Sequence, residues 1–194
     1  MLMEFDRYKL TWYMQEICMH ALGAKIEYHQ LNAALEDDET RQTRLVWFHL
    51  SSLLSHSAMI SKYLSPISKS AIAVARKNAL RAVLCIDSNS EILPRDTRDN
   101  VEHFDERIDN WVCSENQNLL EIVLPDRAAF NFMRASEKRV KRVLILDEFV
   151  FVSENKDESQ LELSLWSLHD EVQRVATVAS NWITENSPYH FIYP

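Results

Sequence analysis

Apolar residues in the first third of the chain recur four and three positions apart, the spacing of a helix that packs against other helices. The pattern predicts one long helix across residues 10–35 and a second across 46–64, where Pro66 ends it. The acidic residues 37–39 precede the second helix and are predicted to supply its cap and a negative first turn.

Two further helices are predicted before residue 115. One spans 72–86, with Ser68 or Ser70 as its cap. The other begins near Pro94, because proline suits the first turn of a helix. Its apolar positions recur at helical spacing and are Val101, Phe104, Ile108, Trp111 and Val112.

Past Pro125 the pattern changes from helical spacing to short apolar runs. The runs 143-VLIL-146 and 149-FVFV-152 are rich in β-branched and aromatic residues, which is typical of strands. They predict a short hairpin. Leu161 and Leu163 either add a third short strand or lead into the last helix.

The last helix is predicted across 165–185, with Ser167 and Asp170 in a capping-box arrangement. Taken together, the patterns predict a mainly all-α fold in one domain that spans the whole chain. Its antiparallel helical bundle occupies about residues 5–115. A small β hairpin, at about 140–165, is inserted before the C-terminal helix.

Composition narrows the classes of function. The single glycine excludes the glycine-rich loops of P-loop and dinucleotide-binding proteins. The net charge of −8 argues against a general nucleic-acid coat protein but leaves room for a local basic patch. Cys18, Cys85 and Cys113 lack metal-ligand spacing, so we expect reduced cysteines in a cytoplasmic protein. The sequence contains no apparent secretory leader and no apolar run of membrane length, so we expect no membrane association.

The stretch 98-RDNVEHFDERIDNW-111 concentrates charged residues and a histidine on one predicted helix. Arg98 and His103 are five residues apart, about 7.5 Å along the helix axis, so their side chains can converge on one phosphate. A neutral imidazole can take the proton of an RNA 2′-hydroxyl, while a guanidinium stabilises the charge on the phosphate. Asp99 and Glu102 would support the imidazole. The alternative is a solvated, salt-bridged helix face.

The same Arg-x4-His spacing occurs at Arg44 and His49, where the intervening residues are apolar and coincidence is the better interpretation. The string 98–103 also resembles the HEPN family (higher eukaryotes and prokaryotes nucleotide-binding domain), whose members carry Arg, a polar residue, a few further residues and then His. The resemblance implies a dimeric helical bundle and a metal-independent endoribonuclease that needs no cofactor. It assigns catalytic roles to Arg98 and His103, with Asp99 as polar support.

Basic residues near the predicted hairpin would guide RNA, contact an acidic partner, or protect a strand edge. The candidate substrate contacts are Arg95, Lys138, Arg139, Lys141 and Arg142. The first hypothesis is therefore a homodimeric HEPN-like ribonuclease of a toxin–antitoxin, phage-defence or stress system, with RNA as substrate and an antitoxin or regulatory protein as a further partner. The alternatives are a non-catalytic dimerisation or interaction module and a nucleotide-binding protein. No metal is expected.

Overall fold

The computed structural model describes residues 5–94, 108–109, 111–113, 119–134, 139–155 and 159–189. Five helices and four strands are described there in full. In chain order they are α1 (Arg7–Glu36), α2 (Arg44–Leu64), α3 (Ala71–Val83), β1 (Leu119–Leu124), α4 (Arg127–Arg134), β2 (Arg139–Ile145), β3 (Val150–Glu154), β4 (Gln160–Ser164) and α5 (Leu165–Asn186).

Helix α1 lies between α2 and α5. Its predicted core positions are buried, including Met14, Ile17 and Leu31, each 0% exposed. Burial of each such side chain contributes about 1.5–3 kcal/mol. Contacts on its two sides join early residues of α1 to late residues of each neighbour, so α2 and α5 both run antiparallel to α1. Among the described residues, no helix is long and apolar enough to cross a membrane.

The helix caps correct two of the predictions. Helix α2 is capped by Thr43, whose hydroxyl accepts a hydrogen bond from the backbone of Leu45 at 3.2 Å. The predicted acidic cap is wrong, because Asp37 is already the C-cap of α1. Ser164, and not the predicted Ser167–Asp170 pair, caps α5. Ser70 caps α3 as predicted.

The predicted mainly all-α fold is wrong, because a four-stranded mixed sheet makes the protein an α/β structure. The strands lie in the order β1-β2-β3-β4, with β1 parallel to β2 and the other pairs antiparallel. The predicted hairpin is present as β2 and β3, and the optional third strand is β4. The missed strand is β1. A short apolar run cannot be distinguished from a buried helix by periodicity, and its parallel pairing requires the α4 crossover.

The sheet is covered on both faces. Leu144, Phe151 and Leu163 belong to the core that includes α1, α2 and α5. The intervening residues Val143 and Val152 belong to a separate apolar cluster with Phe130 of α4. Burial on both faces explains the continuous apolar runs at 143–146 and 149–152. Strand β4, at the edge of the sheet, alternates polar and apolar residues.

The side chain of Gln42, in the α1–α2 connection, caps the outer edge of β1. Its amide nitrogen donates to the carbonyl of Val123 at 2.9 Å, and its amide oxygen accepts from the Val123 N–H at 3.3 Å. This pair reproduces the donor and acceptor of a neighbouring strand. The contact joins the sheet to the helices and covers part of an edge that would otherwise be open.

Candidate functional site

The predicted catalytic group lies outside the described residues. This applies to Arg98, Asp99, Glu102 and His103, and equally to Arg95 and Lys138. Arg139 is described only as the first residue of β2, without its side chain. The residues on either side of the motif are described, and they fix where the chain enters and leaves it.

Both flanks of the motif are anchored in the core. On the N-terminal side, Ile92 is 2% exposed and joins the main core cluster. On the C-terminal side, Trp111 is 3% exposed, and its indole N–H donates to the carboxylate of Glu154 at 3.3 Å. Glu154 ends strand β3 and is itself buried. The described residues nearest the motif are therefore packed against the main core at Ile92 and against the end of β3 at Trp111.

A small cavity of about 20 Å³ lies where the chain enters the motif. Its wall includes Ser57 and Ser61 of α2, together with Glu91 and Pro94 of the loop. The Ser57 hydroxyl donates to the carbonyl of Leu53 at 2.9 Å. The Ser61 hydroxyl is buried and has no hydrogen-bond partner in the described part of the chain. A cavity of this size holds about one water molecule, so it is a polar notch and too small for a nucleotide base.

The two described members of the predicted basic cluster share one acidic partner. Lys141 and Arg142 both form ion pairs with Glu121 of β1, the Arg142 pair at 3.3 Å. Burial raises the pKa of Glu121, but the Lys141 hydrogen bond and the Arg142 charge outweigh it, so the pKa is lowered overall. The Arg142 guanidinium also lies 5.1 Å from the ring centre of Trp47. These cations therefore hold β1, β2 and α2 together.

Histidines line the interface between α1 and α2. The Nδ1 atoms of His20 and His56 are 3.1 Å apart, and both rings are half-buried. Seven residues further along α1, the Glu27 carboxylate lies 2.7 Å from Nδ1 of His49. Burial, followed by the charge on His56, lowers the pKa of His20, against the opposing effect of Glu16. The sequence spacing within each helix predicted neither pair, because each pair joins two helices.

A third histidine contact joins α1 to α5. The ring of His169 stacks on Tyr28 with 3.7 Å between ring centres, and His29 lies edge-on at 6.3 Å. Nδ1 of His169 is buried without a hydrogen-bond partner in the described residues. Burial lowers the pKa of His169, helped by the charges of His29 and Lys25 and opposed by Asp170. No group of three or more described metal-ligating side chains could hold a metal ion.

No protein-family model, curated protein or solved structure matches this chain. The assignment of a site therefore depends on its own residues: the motif in the sequence, the anchored flanks, and the contacts of the described side chains.

Proposed function

We propose that this protein is a HEPN-like, metal-independent endoribonuclease that acts as a homodimer in the cytoplasm. The observation that carries the proposal is the string Arg98-Asp99-Asn100-Val101-Glu102-His103. The flanks support it, because Ile92 before the motif and Trp111 after it are both buried. A catalytic group must be held rigidly to act on a phosphate.

In this reaction His103 accepts the proton of the 2′-hydroxyl as the general base. The 2′-oxygen forms a bond to phosphorus, and the bond from phosphorus to the 5′-oxygen breaks. Arg98 binds the phosphate and stabilises its developing charge, while Asp99 and Glu102 orient the imidazole. The 5′-oxygen leaves with a proton, so the products carry a 2′,3′-cyclic phosphate and a 5′-hydroxyl.

The α/β fold limits the resemblance to the helices around the motif. The antiparallel helices α1 and α2, which precede the motif, support the resemblance, and the sheet of residues 119–164 lies outside it. Since Lys141 and Arg142 are shared with Glu121, guidance of RNA is assigned mainly to Arg95, Lys138 and Arg139. An antitoxin or regulatory protein would act by covering the same face.

The test is cleavage of defined RNAs in EDTA by the wild type, His103→Ala and Arg98→Ala. We expect discrete products with 2′,3′-cyclic ends from the wild type, and a loss of at least about 100-fold in each variant. Arg44→Ala is the matched control, because the exposed Arg44 belongs to the second Arg-x4-His match and should leave cleavage unchanged. Intact RNA with a folded, dimeric wild-type protein would refute the ribonuclease.

The alternative is a non-catalytic dimerisation module, and one feature of α1 favours it. Opposite its core-facing side, α1 carries a second apolar stripe whose residues are each 49–55% exposed: Tyr8, Trp12, Met19, Leu22 and Ile26. The spacing of three and four is that of a helix seam. A helix that is apolar on two opposite faces is expected to be buried on both.

The occupant that this stripe fits is a second copy of the chain. Five half-exposed large side chains present roughly 500 Å² of apolar surface, at the upper end for a monomer and most of what each partner in a standard interface buries. An antiparallel two-fold arrangement would place Trp12 against Leu22 of the partner subunit. That pairing is self-complementary, as a two-fold interface requires.

Light scattering after size-exclusion chromatography tests this second function. Leu22→Glu should convert a dimer to a monomer, whereas Ile72→Glu, at an exposed position of α3, should not. A wild-type monomer at concentrations of about 100 µM would refute this surface as an interface between copies. A wild-type monomer would also contradict the homodimer of the ribonuclease proposal, whereas a dimer that persists in Leu22→Glu would refute only this surface and leave the cleavage test unaffected.

A further inference from the structure

The contact between His20 and His56 limits the protonation states that the two imidazole rings can adopt together. Two Nδ1 atoms at 3.1 Å form a hydrogen bond only when one of them carries a proton and the other presents a lone pair. The pair is therefore compatible with two neutral rings, or with one neutral and one protonated ring. It is incompatible with two protonated rings, because both Nδ1 atoms would then be donors carrying like charge.

The backbone of α1 is shaped to receive this contact. Gly23, the one glycine of the chain, lies one turn after His20. A Cβ atom at this position would lie 2.5–2.7 Å from three atoms of the His56 ring. The ring therefore packs directly on the helix backbone, in a place that a larger residue would fill. Glycine is unfavourable inside a helix, so its presence here is explained by the histidine ring.

We propose that His20, His56 and Gly23 form an acid-sensitive latch between α1 and α2, closed while at least one of the two imidazoles is neutral and opened when both are protonated. Loss of the latch would release the ring from Gly23 and loosen the middle of the α1–α2 interface. The inference is independent of the ribonuclease proposal, because it concerns helix packing and no motif residue.

The charged groups around the latch are few among the described residues. On α1, Glu16 lies one turn before His20 and favours protonation of the pair. On the α2 side, the next ionisable contact is that of His49 with Glu27. A protonated His49 would form an ion pair with this carboxylate, whereas two protonated rings at His20 and His56 would repel each other. Acid therefore weakens the α1–α2 interface at the His20–His56 contact and leaves the His49–Glu27 contact in place.

The direction of the pH effect follows from linkage. The pKa of His20 is lowered in the folded protein, first by burial and then by His56. The unfolded chain consequently binds more protons than the folded chain below about pH 6.5, so stability falls as the pH decreases. The His169 contact changes in the same direction. A variant of the latch is therefore needed to separate the two contributions.

His20→Asn is the informative variant. An asparagine amide occupies nearly the same place as Nδ1, donates to His56 while that ring is neutral and accepts from it when protonated, and does not titrate. Urea unfolding between pH 7.5 and 5.0 in EDTA should show a shallower loss of stability than the wild type. Proton uptake on unfolding at pH 5.5 should decrease, because the asparagine binds no proton in either state. His49→Asn is the control and should not make the loss of stability shallower, because a protonated His49 pairs with Glu27 and opposes that loss.

Histidine titration by NMR on the wild type gives a second, mutation-free readout. If the latch is present, His20 and His56 should titrate as a coupled pair, with the His20 step below the usual range of histidine. Hydrogen exchange in the adjoining turns of α1 and α2 should accelerate across that step. Independent titration of both rings in the usual range, or an unchanged slope in His20→Asn, would overturn the latch.

Discussion

Substitution of the one glycine tests whether the His56 ring is held rigidly against α1. Gly23→Ala places a methyl group 2.5 Å from Cε1 of His56, well inside contact distance. The ring cannot swing away freely, because His20 holds its Nδ1 at 3.1 Å. Either the hydrogen bond breaks or the two helices move apart.

Two opposing contributions determine the size of the effect. Replacing glycine by alanine inside a helix stabilises it by about 1 kcal/mol. Forcing an extra carbon into a packed interface costs about 1–3 kcal/mol. The rigid ring makes the second contribution the larger one. We therefore expect a net loss of about 1 kcal/mol, which lowers the melting temperature by about 2–4 °C for a chain of this size.

The assay is a double-mutant cycle followed by thermal and urea unfolding. In a His56→Ala background the obstruction is absent, so Gly23→Ala should gain the full helix contribution of about 1 kcal/mol. The coupling between the two positions should then be about 2 kcal/mol. Should Gly23→Ala stabilise the wild-type protein as much as it stabilises His56→Ala, the ring is not held, and the reasoning about the interface fails.

Three further substitutions test the contacts that attach the sheet. Gln42→Ala should accelerate hydrogen exchange at Val123 and cost about 1–2 kcal/mol, because both edge hydrogen bonds are lost; slow exchange at Val123 in the variant would contradict this. Trp111→Phe should cost about 1–3 kcal/mol in urea unfolding through loss of the hydrogen bond to Glu154; a neutral result would mean that packing alone anchors the motif. Arg127 of α4 forms an ion pair with Glu148 on the β2–β3 turn and lowers the pKa of that carboxylate. Arg127→Gln should remove this pair, so the free energy of unfolding should fall less than in the wild type as the pH decreases through about 4. Identical acid unfolding curves for the two proteins would refute this.

The positions of α1, α2, α3 and α5 were predicted well because their signal is local, whereas the short α4 was not predicted. The apolar residues of α1 recur four and three positions apart, and those that face the core, such as Met14, Ile17 and Leu31, are buried as this spacing predicts. Caps were predicted less well, since Asp37 and Thr43 are both chemically suitable and only the path of the connection decides between them. The α/β class was missed because β1 has no alternation, being paired with β2 and covered by α4.

The candidate site divides in the same way. Arg98 and His103 are predictions of the sequence, made from a spacing within one segment. The partners of Lys141 and Arg142 were not predictable, since Glu121 is brought to them by the parallel pairing of β1 with β2. The contacts His20–His56 and Glu27–His49 were not predictable either, because each joins a residue of α1 to a residue of α2.

By itself the sequence determined where the long helices lie, that no glycine-rich nucleotide loop exists, and which short segment carries a ribonuclease-like motif. Those properties depend on residue identity and on separations of a few residues along the chain. Only the tertiary structure decided that the apolar runs form a covered mixed sheet, that two basic residues neutralise Glu121, and that His56 packs on Gly23 beside His20. The parallel β1–β2 pairing, the ion pairs of Glu121 and the His56–Gly23 contact each join residues 20 or more positions apart. The packing of the whole fold decides which distant residues meet, so the local sequence does not predict these contacts.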